Sequence, residues 1–331
     1  MSLVGIIANP ASGRDIRRLV AHGSVFSNNE KVSIVRRVLL GLDAVGVERV
    51  LFMPDTFRIG ERALDGVRLR LKAEEVAMPV RDAAGDSQLA AAAMVEQGAG
   101  CIVTLGGDGT NRAVAKGCGE TPLLALSTGT NNVFPTMMEG TVAGLAAGLV
   151  ATGAVAAAAA VERSKRLEVF VEGEPADIAL VDVAISRDVF VGARAIWEPS
   201  RLLYLALARV AMHNIGLSSI GGALYPEGLA DDEGLWLRLG EGETKVLAPL
   251  APGLVQPIAV AAHKCFRFGE RIDLTLASCT VALDGEREIE IGRPRRVAIG
   301  ISGKGPRVVD VPRALAVAVK RGLFVLDARR V

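Results

Sequence analysis

The sequence predicts two domains, an α/β domain with a parallel sheet followed by a mainly antiparallel, β-rich domain. Short apolar runs alternate with helical patterns early in the chain, whereas after about Val161 they follow one another between Gly, Pro and acidic turns. The 331 residues, 50% of them hydrophobic, are enough to bury two cores. The predicted units are an α/β domain at 1–140, a helix and connection at 141–165, a β-rich domain at 166–305, and a C-terminal segment at 306–331 that returns to the first domain.

In the first domain, apolar runs that end in polar or glycine-rich turns predict strands at 4–8, 49–53 and 100–105. Helical spacing of apolar residues predicts helices over 29–45 and, after an Asp-Ser pair, over 86–96. Ligands of parallel sheets bind beyond the C-terminal ends of the strands. The candidate binding loops are therefore the segments that follow strands, at 9–13, 53–55 and 106–110.

In the second domain, short apolar runs predict a series of strands. They lie at 167–171, 178–186, 235–239, 258–261, 272–276, 280–283 and 288–291. A broad apolar surface over 201–214 predicts a helix, and near the end of the chain the pattern predicts a helix at 312–319 and a strand at 323–326. The uncharged segment 141–161 is rich in Ala and Gly, which favours a buried helix over a membrane span.

Composition narrows the choice of partner and compartment. A formal net charge of +1 provides no field that would attract nucleic acid or an anionic membrane, so a small-molecule partner is expected. The four cysteines lie far apart and the three histidines share no metal-like spacing, which predicts neither disulfides nor zinc. Since the chain opens on an apolar strand pattern without a basic leader, we expect a cytoplasmic protein.

The segment 106–110 reads Gly-Gly-Asp-Gly-Thr, follows the apolar run 102–105 and precedes a helix-like run at 111–115. Glycines let the backbone approach an anion with its N–H groups, and a helix N-terminus adds a favourable dipole. A carboxylate in such a loop needs a task, either accepting a proton from a hydroxyl or holding Mg²⁺. The alternative is an ordinary Asp-Gly turn, in which Asp108 has no chemical role.

This segment resembles the one shared by NAD kinases, diacylglycerol kinases and sphingosine kinases and, more distantly, by phosphofructokinases. Segments similar to further elements of that superfamily follow in the same order, at 9–13, 127–132 and 284–286. Segments similar to the second domain of NAD kinases lie at 179–187, 219–226 and 248–252. As a whole, the chain most resembles the acetoin-catabolism protein X group of ATP-NAD kinase-like proteins.

The resemblance implies an NAD kinase- or phosphofructokinase-like first domain, ATP and Mg²⁺ as cofactors, and a homodimer or homotetramer. It implies Asp108 as the general base, Asn132 and Asp182 as substrate-binding residues, and Asp284 and Glu286 as Mg²⁺ ligands. The implied ATP- and phosphate-binding residues are Asn9, Ser12, Gly13, Gly106, Gly107, Gly109, Thr110, Thr128, Gly129, Thr130 and Asn131. For Asn9 and Ser12, capping of a helix that begins near Asp15 is a compatible second role.

Departures from the NAD kinase pattern leave three functions open. Val181 stands where NAD kinases have Asn, Asp182 is shorter than their Glu, and residues 212–218 do not match their Thr-Gly-Ser-Thr-Ala-Tyr segment. The first function is ATP-dependent phosphorylation of the 2′-hydroxyl of NAD or a related nucleotide. The second is a lipid or small-polyol kinase, suggested by Asn131 and Glu286. The third is a non-catalytic nucleotide sensor that regulates acetoin catabolism.

Overall fold

The computed structural model describes residues 1–13, 26–129, 131–187 and 199–325. Two expectations, the helix near Asp15 and the role of Thr130, fall outside these residues. The strands are β1 (Leu3–Ala8), β2 (Arg49–Phe52), β3 (Lys72–Glu75), β4 (Cys101–Gly106), β5 (Leu123–Ser127), β6 (Val161–Arg163), β7 (Arg166–Val171), β8 (Glu174–Ala179), β9 (Asp182–Ser186), β10 (Leu202–Leu207), β11 (Glu233–Ala251), β12 (Leu254–Arg267), β13 (Arg271–Leu276), β14 (Cys279–Leu283), β15 (Glu286–Ile291), β16 (Arg295–Ser302) and β17 (Arg307–Val309). The helices are α1 (Asn28–Ala44), α2 (Ile59–Leu64), α3 (Gly85–Glu96), α4 (Asp108–Ala115), α5 (Gly140–Ala151), α6 (Ala157–Ala160), α7 (Ser218–Leu224) and α8 (Val311–Lys320).

A seven-stranded sheet forms the first domain, in the order β3-β2-β1-β4-β5-β17-β6. Strands β1 to β5 pair in parallel, β17 joins β5 in parallel, and β6 runs antiparallel to β17. Helices α1, α5 and α8 pack on one face and α3 packs on the other. Because both faces are covered, all six residues of β1 are buried, and the predicted α/β class is confirmed.

Two antiparallel sheets form the second domain. One has the order β12-β11-β10-β9-β14-β15 and the other β13-β16-β7-β8. A core that includes Val183, Phe266 and Ile299 fills the space between them, and α7 packs with a separate cluster around Leu205 and Leu237. The predicted β-rich, mainly antiparallel character is confirmed.

The predicted helix over 201–214 is wrong, because residues Leu202–Leu207 form strand β10. This strand lies between β9 and β11, and most of its side chains are buried. An apolar run buried on both faces has no period of two and cannot be told from a buried helix by its pattern. The predicted strand at 178–186 is also divided, since β8 ends at Ala179 and β9 begins at Asp182.

The end of the chain contributes to the first domain. Strand β17 pairs with β5 and β6, and α8 packs on the core around α5. The predicted helix at 312–319 is present as α8, whereas residues 323–325 form no strand and Leu326 lies outside the described residues. Segment 141–161 forms α5 and α6, and in the described part of the chain no helix is long and apolar enough to cross a bilayer.

Candidate functional site

A cavity of about 850 Å³ lies between the two domains and is lined by loops from both. Most of the predicted site residues line this cleft. They are Asn9, Ser12, Gly13, Gly107, Asp108, Gly109, Thr110, Asn131, Asn132, Asp182, Asp284 and Glu286. Gly106, Thr128 and Gly129 belong to the same loops but do not line it, and Thr130 lies outside the described residues.

The loop after β1 is bonded directly to the Gly-Gly-Asp-Gly-Thr loop. The Asn9 side-chain amide donates to the Thr110 hydroxyl at 2.9 Å, while its amide oxygen accepts the N–H of Ala11 at 2.9 Å. The Ser12 hydroxyl donates to the carbonyl of Asn9 at 2.8 Å and accepts from the Thr128 hydroxyl at 3.1 Å. Asn9 and Ser12 therefore fix three strand-end loops relative to one another.

Lys31 stabilises the loop that follows β1. Its side chain is fully buried, and its ammonium group donates to the carbonyls of Asn9, Pro10 and Ser12 at 2.7, 3.1 and 2.7 Å. A fourth bond, at 3.0 Å, goes to the side-chain oxygen of Asn28. Because the carbonyls point at the ammonium group, the loop backbone is held in a single conformation.

The glycines of segment 106–110 are required by close approach. A Cβ added at Gly106 would lie 2.5 Å from Thr110, one at Gly107 would lie 2.8 Å from Asn132, and one at Gly109 would lie 2.6 Å from Glu286. No larger residue fits these positions without displacing a neighbour. Gly107 and Gly109 also line the cleft, where an anion can approach the N–H groups of the loop.

Asp108 is the first residue of α4, and backbone groups from the loop after β5 hold its carboxylate. Oδ1 accepts the N–H groups of Val133 and Phe134 at 3.1 and 2.8 Å, and Oδ2 also lies 3.1 Å from the N–H of Val133. An ionised carboxylate is a strong acceptor of such N–H groups, and these bonds fix the orientation of Asp108. Its exposure to the cleft fits a group that accepts a proton from a bound hydroxyl.

Asp284 and Gly285 form the two-residue turn between β14 and β15, with positive φ values of 51° and 81°. Both Asp284 oxygens accept backbone N–H groups, from Leu180, Val181 and Asp182, at 2.8 to 3.2 Å. These bonds explain why the predicted strand at 178–186 is interrupted. Burial, together with the charge of Asp108, raises the pKa of Asp284 from 3.8 to about 7.

The predicted Mg²⁺ ligands do not fit that role. The Asp284 side chain is fully buried and occupied by N–H donors, while a carboxylate oxygen of Glu286 lies 3.5 Å from the guanidinium of Arg112. Among the described residues, no group of three His, Cys, Asp or Glu side chains is placed to hold a metal ion. Neither residue is therefore assigned as a direct ligand of a metal ion.

Two arginines, Arg112 and Arg209, connect the domains behind the cleft. Arg112 in α4 donates to Asp177 of β8 at 2.9 Å, and Lys116 pairs with the same carboxylate at 3.0 Å. Arg209 donates to the Ser164 hydroxyl at 2.7 Å and lies over the ring of Phe134, 5.2 Å from its centre. Burial lowers the pKa of Arg209, while the nearby carboxylates of Asp108 and Asp284 favour its charged form.

The cleft is strongly acidic. The seven carboxylate residues that line it are Asp55, Asp82, Asp86, Asp108, Asp182, Asp284 and Glu286, and no described Lys or Arg lines it. Like charges repel in such an enclosed space. A polyphosphate bound to this described part of the cleft meets backbone N–H groups and the α4 N-terminus, and counter-ions of its own would offset the repulsion.

Several residues that shape the site were not predicted from the sequence. Lys31 leaves a detectable signal, since it is a charged residue on the apolar stripe of α1 with Val35 and Val38. Asn111 is fully buried and bonds to Thr104 and Gly107, but its identity in a helix carries no such signal. Long-range partners such as these become apparent only in the folded chain.

The fold and the cleft define an ATP-NAD kinase-like protein. The family model described as the ATP-NAD kinase N-terminal domain matches residues 4–154, and the one described as the acetoin catabolism protein X C-terminal domain matches residues 165–304. Acetoin catabolism protein X of Cupriavidus necator is 40% identical over 338 residues, which cover 97% of this chain and 94% of that protein. The chain belongs to the acetoin catabolism protein X family.

Comparison with solved structures shows the same fold. Yeast NADH kinase, crystallised with NADH, aligns with a TM-score of 0.52 over 100% of this chain and 90% of its own. Sequence identity in that alignment is 14%, so the likeness concerns the arrangement of elements.

Proposed function

We propose that this protein transfers the γ-phosphoryl group of ATP to a hydroxyl of NAD or a related nucleotide. One observation carries the proposal: the Asp108 carboxylate faces the interdomain cleft and is oriented by the N–H groups of Val133 and Phe134. It lies within a glycine loop that brings backbone N–H groups to the same cavity. Relatives of this fold include a protein named NADH kinase, which supports a nucleotide substrate.

In the proposed reaction, Asp108 accepts the proton of the acceptor hydroxyl. The hydroxyl oxygen forms a bond to the γ-phosphorus, the bond from that phosphorus to the bridging oxygen breaks, and ADP leaves with the electron pair. The loop after β1, which is bonded to Thr110 through Asn9, and the glycine loop at Gly107 would bind the phosphates with neutral donors. Mg²⁺, when bound to the nucleotide, supplies countercharge in the acidic cleft. Positioning and electrostatics provide most of the rate enhancement in such transfers.

The sensor alternative rests on a specific observation. Val181 stands where NAD kinases have an Asn that contacts the dinucleotide, and its side chain is apolar and buried. Its N–H group, like that of Leu180, donates to Asp284. A protein that binds nucleotide without phosphorylating it would keep the cleft and dispense with that contact. The lipid or polyol acceptor, the homodimer or homotetramer and the cytoplasmic location stay predictions.

The test is phosphorylation by the purified protein with Mg²⁺-ATP and a panel of acceptors that includes NAD, NADH, diacylglycerol and acetoin. We expect product from a nucleotide acceptor, and a loss of roughly 100-fold or more in Asp108→Asn, the typical contribution of a positioned general base. Glu74→Gln is the matched control, because Glu74 is an exposed carboxylate on β3 outside the cleft.

Three outcomes decide between the functions. Product from NAD or NADH that disappears only in Asp108→Asn supports the proposal. Product from diacylglycerol or acetoin alone would show that the protein is a lipid or small-polyol kinase. Nucleotide binding without any product would favour the sensor and remove the catalytic role of Asp108.

A further inference from the structure

A second part of the cleft carries a buried acceptor that no group of the described chain satisfies. Asp86, in the first turn of α3, is 6% exposed and lines the cavity. Its Oδ2 atom accepts the N–H groups of Arg81 and Ala83 at 2.9 and 3.4 Å. Its Oδ1 atom is buried and has no hydrogen-bond partner. A buried carboxylate oxygen without a donor is costly, so a ligand that supplies one gains affinity.

The surroundings define the chemistry of that ligand. Met53, Phe57 and Val80 line the same region and offer apolar surface, while Asp55 and Asp82 are the neighbouring acids. A flat heterocycle that carries an exocyclic amino group satisfies both the apolar walls and the single free acceptor.

We propose that this region binds an adenine ring and that Asp86 Oδ1 accepts a hydrogen bond from the 6-amino group of that ring. This inference rests on the proposed function. Only one oxygen is free, so the paired bonds that a guanine edge makes to both carboxylate oxygens are not available. A carbonyl at position 6, as in hypoxanthine, would place an acceptor against the carboxylate. Asp86 is thus a specificity-determining residue of the cleft.

The structure also predicts how Asp86→Asn reverses this preference. The amide oxygen has to occupy the Oδ2 position, because the N–H groups of Arg81 and Ala83 need an acceptor there. The amide NH₂ group then occupies the Oδ1 position and presents a donor to the cleft. This donor suits the 6-carbonyl of hypoxanthine and opposes the 6-amino group of adenine.

The experiment measures dissociation constants by calorimetry, which requires no catalytic turnover and so can succeed even if phosphorylation fails. ATP is compared with ITP, and NAD with nicotinamide hypoxanthine dinucleotide, for the unmodified protein, Asp86→Asn and Glu74→Gln. We expect the unmodified protein and Glu74→Gln to prefer one adenine ligand over its hypoxanthine analogue by roughly 10- to 100-fold, as a charged hydrogen bond provides. We expect Asp86→Asn to invert that ratio.

The two pairs of ligands identify the source of the adenine. Inversion with ATP and ITP assigns the site to the phosphoryl donor, and inversion with the dinucleotides assigns it to the acceptor. Equal affinity for both members of each pair, or a uniform loss of affinity in Asp86→Asn, overturns the proposal. If Asp86→Asn does not fold, Asp86→Ser serves instead, and its ratio should approach one, whereas an unchanged preference overturns the proposal.

Discussion

Lys31 shows how one side chain can determine the shape of a binding loop. We predict that Lys31→Met lowers the free energy of unfolding by about 3 kcal/mol, because three loop carbonyls lose a charged donor in a buried place. Urea denaturation measures the change. Lys72→Met, at an exposed position of β3, is the control and should change stability by about 0.5 kcal/mol or less. Equal effects of both variants would refute the structural role of Lys31.

Asp284 predicts a dependence of stability on pH. Its pKa is about 7 in the folded protein, against an ordinary value of 3.8. Between these values the unfolded chain has lost the proton that the folded chain keeps, so the stability present below about pH 4 is lost as pH rises to about 7. The loss approaches about 4 kcal/mol, since one pKa unit corresponds to about 1.4 kcal/mol.

The free energy of unfolding of the unmodified protein is compared with that of Asp284→Asn by urea denaturation at about pH 4.5 to about pH 7.5. Asparagine tolerates the positive φ of 51° and retains an acceptor for the N–H groups. We expect the free energy of unfolding of the variant to increase relative to that of the unmodified protein as pH rises. Parallel pH profiles would show that Asp284 titrates at its ordinary value.

At the level of single residues, the sequence predicted the loops better than the contacts. Gly107 and Gly109 could be identified because a run of glycines beside an acid follows a strand, and both line the cleft. The bonds that hold Asp284 could not be predicted, because nothing local shows that residues 180–182 donate their N–H groups to it. Bonds across about 100 positions have no local pattern.

Among the elements, helices α1 and α5 are in close contact. A Cβ at Gly41 would lie 2.4 Å from the carbonyl oxygen of Thr141, and one at Gly144 would lie 2.2 Å from that of Val38. Two glycines therefore let the helix backbones touch. The apolar spacing predicted α1 correctly, but the glycines in α5 gave no indication of which partner they face.

We predict that Gly144→Ala lowers the free energy of unfolding by about 1–3 kcal/mol, because the helices must separate to admit the methyl group. Thermal or urea denaturation gives the change. Gly85→Ala is the matched control, since Gly85 begins α3 in open space and its replacement should be neutral or stabilising by about 0.5–1 kcal/mol. A stable Gly144→Ala protein would mean that the two helices are not in contact in solution.

Strand β10 explains why one element could not be predicted. Its residues Leu202, Leu205 and Leu207 are buried, and so is Ala206 between them. A central strand packed on both faces shows a continuous apolar run, which is equally compatible with a buried helix. Strands with one exposed face, such as β13, alternate and were predicted within a residue or two.

For the whole molecule, the ion pair of Arg112 with Asp177 links the glycine loop to the second domain. We predict that Asp177→Asn destabilises the contact by about 3 kcal/mol, because the Arg112 side chain is only 4% exposed and loses the nearest of its charged partners. Amide hydrogen exchange should then quicken in α4 and β8 while α8 is unchanged. Glu174→Gln, an exposed change in the same strand, is the control.

The position of β17 bears on how the protein is made. Its single pairing with β5 and its ladder with β6 place residues Arg307–Val309 inside the first sheet. A ribosome has therefore to synthesise more than nine-tenths of the chain before the edge of β5 at Leu123 can be covered. Until then the nascent N-terminal half exposes an open strand edge, which invites pairing with other chains. Translation pauses or C-terminal truncation should consequently cause aggregation of the domain that is synthesised first.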